Sequence, residues 1–294
     1  MIHIASPKYW QDYELIDCGN FEKLERFGQL TTIRPEPQAV WNKRMTDSQW
    51  QKLANVHFMA SGNATGIWKK LNTSPDNWQI AYKSPSLNLN FKLALTSFKH
   101  VGVFPEQADN WEFIYNSVKQ MPLATPPRVL NLFAYTGGAS LAAKQAGADV
   151  VHLDSIKQVV NWASENMKRS HLDGIRWVVE DAKRFVQREA KRGNIYQGII
   201  LDPPAYGIGT NGERWKLEND IAEMLADVAK ILDPKHHFLV LNTYSLGFSA
   251  LIIQNLLEDI FADKQFDIGE LCLSSQTKQI LPLGVFARRL FIKK

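Results

Sequence analysis

The sequence predicts an α/β protein: a sheet of mainly parallel strands flanked by helices, preceded by a β-rich N-terminal part. Three observations predict it. Residues 129–138, VLNLFAYTGG, read as a buried strand, a tight glycine turn and the start of a helix. From Val129 onward, apolar runs of strand length alternate with segments of helical periodicity, the pattern of a parallel sheet with helices on both faces. Residues before about 100 have another texture: they hold five of the nine tryptophans, and short apolar runs are separated by turn residues.

The totals set bounds. A chain of 294 residues has room for one large domain or two modest ones. Hydrophobic content of 45% and charged content of 22% are those of a folded globular chain. No apolar run reaches the ~18 residues of a membrane span, and MIHIASPKYW lacks the basic and apolar blocks of a secretory signal. Two cysteines, Cys18 and Cys272, are too few for a disulfide framework. A reducing cytoplasm is therefore the expected location. The seven histidines show no metal-ligand spacing, and adjacent His236 and His237 read as a turn before a strand, so no metal is expected. A net charge of +4 and a pI near 8.9 permit a nucleic-acid partner without demanding one. The oligomeric state is left open.

The N-terminal part reads as hairpins. Leu87, Leu89, Phe91 and Leu93 alternate as in a half-buried strand. Pro35-Glu36-Pro37 excludes a central strand at that point. Trp10, Tyr13 and Trp41 read first as the core of a small β module and second as an exposed aromatic surface for bases. Residues 100–107 form a short apolar run ending at Pro105, and Trp111, Ile114, Tyr115 and Val118 space a helix over 108–119. Pro122, Pro126 and Pro127 form a linker, so the expected domains are 1–121 and 122–294.

The second domain is expected as strand 129–135, helix 139–145 closed by Gly147, strand 149–154, helix 156–170, strand 175–180 and helix 182–191. Strand 198–202, a glycine-rich loop over 203–212, helix 218–232, strand 237–244 and helix 249–261 follow. Two tail strands, 269–273 and 285–292, complete seven, the last two as a hairpin at the sheet edge.

Ligands of such sheets sit beyond the C-terminal strand ends. The first strand ends in Tyr135-Thr136-Gly137-Gly138, the second in Asp154, the third in Glu180-Asp181, and the fourth in Asp202-Pro203-Pro204-Ala205-Tyr206-Gly207. An acidic residue after the second strand is placed to accept from a ribose diol, and one after the third from an adenine amine. Singly, Asp154 and Asp181 read as well as helix N-caps. A series of four strand ends bearing glycine, Asp, Asp and DPP is harder to assign to caps alone. The turn reads T-G-G-A-S, without the third glycine of a pyrophosphate-binding fingerprint. A cofactor without phosphates, held by its amino-acid end, needs fewer glycines, which favours S-adenosylmethionine over NAD.

VLNLFAYTGGASLAAKQAGA, VVHLDSIKQVVNWASENMKRSHL, EDAKRFV and IILDPPAYG resemble the successive motifs of class I S-adenosylmethionine-dependent methyltransferases. More narrowly, they are similar to the branch containing ribosomal large-subunit RNA methyltransferases that modify cytosine C5 and guanine N7. The resemblance is specific over 129–244. It extends upstream through LIDCGNFEKLERFGQLTTIRPEPQAVW and LALTSFKHVGVFPEQADNW, and into the loop GIGTNGERW, towards a bacterial subgroup of that branch. The resemblance implies a Rossmann-like, seven-stranded methyltransferase sheet behind the β-rich N-terminal part. It implies that Asn131, Ala134, Tyr135, Thr136 and Gly137 hold the methionine end of S-adenosylmethionine. Asp154, with Ser155 beside it, would hold the ribose and Asp181 the adenine. Phe104 and Gln107 would close over the cofactor, and Asp202 would border it.

For the acceptor, the two prolines of Asp202-Pro203-Pro204 fix the backbone, so the Pro203 carbonyl and the Asp202 carboxylate are pre-placed to bind an amino group or a purine edge. Tyr206 reads either as a stacking platform for a base or as a loop aromatic packed on the sheet. Methyl transfer is a direct displacement, so alignment supplies most of the rate. Attack by cytosine C5 needs a thiolate. The cytosine-modifying relatives carry a cysteine after the fifth strand, where this chain reads Asn242-Thr243-Tyr244-Ser245, and Cys18 and Cys272 read as small core residues. A nitrogen acceptor is therefore expected. The basic pairs Lys168-Arg169, Lys183-Arg184, Lys191-Arg192 and Arg288-Arg289, with Arg188, read mainly as solvated faces, while Lys183, Arg184 and Arg214 would hold phosphates if they border the cleft. The expected function is methylation of RNA, ribosomal by resemblance. The alternatives are a methyltransferase of a protein or small molecule, and an RNA-binding module with a vestigial cofactor site.

Overall fold

The computed structural model describes residues 3–61, 65–209, 212–245, 247–261 and 265–293. They form two compact units. A sheet unit takes the chain up to Ala5, Asp109–Leu271 and the chain from Gly284 on; a β-rich unit takes Ser6–Ala108 and Cys272–Leu283. Each unit thus draws on more than one stretch of chain.

β1 (His3–Ala5) belongs to the sheet unit. The β-rich unit then holds β2 (Tyr13–Gly19), β3 (Glu22–Phe27), β4 (Leu30–Pro35), α1 (Asp47–Leu53), β5 (Val56–Ala60), β6 (Gly66–Lys70), β7 (Asn77–Lys83) and β8 (Asn88–Ala94). β2 to β6 form one sheet in sequence order, and β7 pairs with β8. Pro35 is the last residue of β4, as its lost N–H requires. Hairpins do not account for the whole unit: β4 and β5 are parallel, so the chain crosses over through α1, a helix not foreseen from sequence. Thr46 and Gln49 form a capping box that starts it. Its Trp50 enters a core with Ile16, Leu24 and Ile33, and the indole N–H donates to Asp17 at 2.9 Å. In β8 the alternating Leu89, Phe91 and Leu93 are all buried.

Trp10, Tyr13 and Trp41 are packing elements of this unit. Trp10 lies edge-on to Tyr13 and Tyr82, and its indole donates to the Pro105 carbonyl at 2.9 Å. Trp41 donates to the Cys18 carbonyl at 3.0 Å. Burial pushes the Cys18 thiol up to about 11, as befits a core residue. Under this packing lies a buried ion group: Arg34 donates to Glu25 at 2.8 Å, and so does the Tyr13 hydroxyl. Burial alone would raise the Glu25 carboxyl, but the Arg34 and Lys23 charges outweigh it and hold the group low.

The sheet unit continues with α2 (Ala108–Gln120), β9 (Arg128–Leu132), α3 (Gly138–Gln145), β10 (Asp149–Asp154), α4 (Lys157–Arg169), β11 (Ile175–Val179) and α5 (Ala182–Lys191). After these come β12 (Gly198–Leu201), β13 (Tyr206–Ile208), β14 (Arg214–Lys216), α6 (Leu217–Ile231), β15 (His236–Thr243), α7 (Ala250–Ile260), β16 (Asp267–Ser274) and β17 (Ile280–Ile292). The sheet order is β1-β16-β17-β15-β12-β9-β10-β11. β11, β10, β9, β12 and β15 run parallel, and β17 is antiparallel to β15. Val129, Leu130, Leu132, Ile199 and Leu201 are buried because helices cover both faces.

Four expectations are corrected. The sheet has eight strands, because β1 pairs parallel to β16 and takes the edge assigned to the tail hairpin. The glycine-rich loop after β12 contains an antiparallel hairpin, β13–β14; its Thr210 and Asn211 lie outside the described residues. His236 and His237 are the first residues of β15 rather than a turn before it. Arg288 and Arg289 are buried instead of solvated: Arg288 donates to Asp109 at 2.6 Å, and Arg289 to the His237 ring at 3.1 Å. No helix among the described residues is long and apolar enough to cross a membrane.

Two glycines set local geometry in this unit. Gly137 takes φ 93° as the N-cap of α3. A Cβ on Gly138 would stand 2.5 Å from the Trp111 ring, so α3 reaches this closeness to α2 only through glycine.

Candidate active site

β9 ends at Leu132 and the turn begins at once. Phe133 (φ 55°), Tyr135 (φ 48°) and Gly137 (φ 93°) alternate in the left-handed region. Such a conformation costs roughly 1–3 kcal/mol at a non-glycine residue, so the surroundings must enforce it. They do so through hydrogen bonds. The Ala134 N–H donates to the Leu153 carbonyl at 3.0 Å and the Tyr135 N–H to Asp154 Oδ2 at 2.9 Å. Asn166 Nδ2 donates to the Thr136 carbonyl at 3.0 Å. Beneath the turn, Asn131 Nδ2 donates to Ser140 Oγ at 2.9 Å, and that hydroxyl lies 2.9 Å from His152 Nδ1. Burial pushes His152 down to about 3, so the ring is neutral. Asn131 and Thr136 are buried and form the floor of the turn; Ala134 and Tyr135 give it its shape.

The second and third strand ends lie side by side, with Asp154 opposite Val179. Asp154 accepts from the Tyr135 N–H through Oδ2 and from the Ile156 N–H through Oδ1, each at 2.9 Å. Burial pushes its carboxyl up, and the backbone N–H groups of Ile156, Tyr135 and Ser155 oppose the shift. Asp181 is the N-cap of α5 and accepts from the Arg184 N–H at 2.9 Å, so the capping alternative is realised there. Beside these carboxylates two large apolar side chains are exposed, Ile156 at 51% and Val179 at 41%. Sequence reasoning passed over both, because an apolar residue at a strand end looks like ordinary core. Their exposure suits the faces of a purine. With the half-buried Asp154 for a ribose and the free N–H groups of the first turn of α3 for a carboxylate, they fit an adenosyl cofactor with an amino-acid end.

At the fourth strand end, Asp202 Oδ1 accepts from Asn242 Nδ2 at 2.9 Å. Burial pushes the Asp202 carboxyl up to about 6, and the Asn242 amide opposes this. Asn242 Oδ1 and Thr243 Oγ1, at the end of β15, are buried without hydrogen-bond partners among the described residues. Buried polar atoms of this kind are costly unless something satisfies them. Pro203 is buried, whereas Tyr206 is 58% exposed on β13 and does not pack on the sheet. Cys18 lies in β2 and Cys272 in β16, and both are buried core residues. Phe104 and the short turn Pro105–Gln107 also belong to the β-rich unit. No group of three or more His, Cys, Asp or Glu side chains suited to a metal occurs among the described residues.

Trp215, hidden from sequence reading inside the loop, ties the acceptor loop to the first turn. It is buried on β14; its indole N–H donates to the Pro204 carbonyl at 2.7 Å and its ring lies 5.0 Å from that of Phe133. Trp215→Phe keeps the ring contact and removes the donor, a loss of about 1 kcal/mol of loop restraint. The expected outcome is a kcat lowered roughly 3- to 30-fold, since alignment sets the rate of a direct displacement. Calorimetric affinity for S-adenosylhomocysteine should stay at the parent value; parent kcat would rule out the tie.

Parallel strand ends that carry a bonded turn, paired carboxylates flanked by exposed apolar residues, and a half-buried acid define a Rossmann-like enzyme that takes an adenosyl cofactor. The comparisons with known proteins say which. The family described as S-adenosylmethionine-dependent methyltransferase matches residues 45–258. A crystal structure of a methyltransferase dependent on that cofactor, from Agrobacterium tumefaciens, is 36% identical; the match covers 98% of this chain and 93% of the other, with a TM-score of 0.88. The chain belongs to the S-adenosylmethionine-dependent methyltransferases.

Proteins named ribosomal RNA large subunit methyltransferase K/L also match. The one from Shewanella frigidimarina is 31% identical over 171 residues, 57% of this chain and 23% of its own length. The one from Magnetococcus marinus is 29% identical over 153 residues, 50% of this chain and 20% of its own length. The matched part thus spans about a quarter or less of these relatives. When bound, the cofactor supplies an electrophilic methyl group on sulfur. The turn after β9 and the carboxylates at the strand ends are the groups available to position it, and Asp202 is a group able to accept a proton or an N–H.

Proposed function

We propose that the protein methylates a nucleobase nitrogen of RNA, with ribosomal RNA as the substrate class. The observation that carries the nitrogen is Asp202. Its carboxylate accepts from Asn242, Cys18 and Cys272 are both buried, and an exposed Tyr206 stands four residues on. An exocyclic amine carries an N–H that a carboxylate can hold and a proton it can take, whereas a cytosine carbon needs a thiolate. Transfer to an exocyclic amine would release a proton, which Asp202 or water would take. RNA as the substrate is supported by the ribosomal RNA methyltransferases that the chain resembles.

In this reading Asn131, Ala134, Tyr135, Thr136 and Gly137 frame the methionine end, Asp154 and Ser155 meet the ribose, and Asp181 reads the adenine. Asp202, Pro203 and Tyr206 hold the acceptor. The test is to incubate the protein with methyl-labelled cofactor and undermodified total RNA, then to separate the nucleosides by mass spectrometry. Label in an N-methylated nucleoside is expected. Label at cytosine C5 would sink the nitrogen assignment, and label confined to protein or small molecules would sink RNA as the substrate.

A further inference from the structure

The acceptor loop carries an exposed face that extends from Tyr206 to Ile208, Arg214 and Lys216. In the β13–β14 hairpin Tyr206 lies opposite Lys216, Gly207 opposite Trp215 and Ile208 opposite Arg214. Directly opposed residues share a face, and successive residues alternate between faces. The buried Trp215 therefore marks the inner face. Tyr206, Ile208, Arg214 and Lys216 share the outer one, and all four are exposed. Tyr206 is 58% exposed and Ile208 60%. Each of these flat or apolar surfaces thus has a cation directly across from it.

The structure also sorts the basic residues of this region. Lys183 is occupied by Glu223 at 2.6 Å and Asp220 at 3.6 Å, and Arg184 by Glu213 at 2.8 Å. Arg214 makes no ion pair among the described residues. Lys216 has Glu218 at 4.0 Å, an exposed contact that contributes little. The two cations left available are the two on the hairpin's outer face.

We propose that this face docks a single-stranded segment of the RNA substrate, with one base against the Tyr206 ring, a neighbouring base against Ile208, and the adjoining phosphates on Lys216 and Arg214. The proposal rests on the RNA reading above. Stacking is sequence-tolerant and cation–phosphate contacts are sequence-blind, so the strip would hold and orient the strand beside Asp202 rather than select its sequence. Two cations alternating with two apolar side chains match a chain of alternating phosphates and bases.

The test uses the full chain and a short fluorescein-labelled single-stranded RNA of mixed sequence, titrated by anisotropy over a range of salt. The variants are Arg214→Glu/Lys216→Glu and the milder Arg214→Gln/Lys216→Gln. Calorimetry with S-adenosylhomocysteine is run on the same preparations. The charge reversal is expected to weaken RNA binding at least about tenfold near 0.1 M salt. Either pair should flatten the dependence of log affinity on log salt by about 1.4, the share of two phosphates on a single strand. Affinity for S-adenosylhomocysteine should be unchanged. If the reversal also loses S-adenosylhomocysteine binding, the glutamine pair decides by its slope. A parent that binds RNA alongside variants of equal affinity and slope would overturn the docking face alone. A parent that binds S-adenosylhomocysteine but no RNA would overturn the RNA reading, and the docking face with it.

Discussion

Asp154→Asn is expected to reduce S-adenosylhomocysteine binding by about two to four orders of magnitude. A ribose diol donates two hydrogen bonds, and bonds to a charged acceptor contribute roughly 1.5–3 kcal/mol each. Losing both amounts to roughly 3–6 kcal/mol, at 1.4 kcal/mol per tenfold. The amide is nearly isosteric, but it offers one acceptor oxygen. It must choose between the Tyr135 N–H and the Ile156 N–H, which the carboxylate now serves together. The turn loses its link to β10 as well as its ligand contact. The effect on folding should be smaller. Burial raises the Asp154 carboxyl, so the fold disfavours the charge, and removing it relieves a cost that is present above the ordinary carboxylate pKa. A melting temperature near the parent's together with lost calorimetric heat is the expected pair of results. Parent-like binding would refute the assignment of Asp154 to the ribose.

Asp202→Ala is expected to keep S-adenosylhomocysteine affinity and to lower kcat roughly 10²- to 10⁴-fold, the range of a positioned proton acceptor. The pH profile gives a sharper reading. Burial raises this carboxyl to about 6, so it is ionised above that pH and takes a proton as pH falls through it. The ionised form is the one that accepts an N–H. kcat/KM should therefore fall below pH about 6, approaching tenfold per unit, and stay level above it. Asn242→Leu removes the amide that donates to Asp202. It should push the carboxyl further up and move the acid limb to higher pH, by an amount on the order of one unit. Asp202→Asn should abolish the limb. A limb that stays in place in Asn242→Leu would show that it belongs to another group.

Much of this fold was legible because its signals are local. The run VLNL reads as a strand covered on both faces, and helices α3 to α7 fell within a residue or two of their periodic patterns. Asp154, Asp181 and Asp202 were found because the ends of successive parallel strands must converge on one edge of the sheet. What escaped depended on distant partners. β1 is three residues long and has no pattern of its own; it exists because β16 presents an unpaired edge. Arg288 and Arg289 look like surface charges until Asp109 and the His237 ring are brought to them. The hairpin β13–β14 was masked by its glycines, and with it the inward Trp215 and the outward strip of Tyr206, Ile208, Arg214 and Lys216.

By itself the sequence determined the kind of sheet, the order in which its strand ends carry glycine, carboxylate, carboxylate and DPP, and through these the methyl donor. Periodicity and turn chemistry act between near neighbours, so a linear string contains them. Only the tertiary structure decided how those ends are wired. It makes Asp154 the clasp of the Tyr135 turn and Asp181 the cap of α5, and it leaves Ile156 and Val179 exposed. It also joins Asn242 to Asp202 across 40 positions of chain and locks the acceptor loop to Phe133 through Trp215. Hydrogen bonding and burial between segments remote in sequence are set by packing, and packing is where the string carries no local mark.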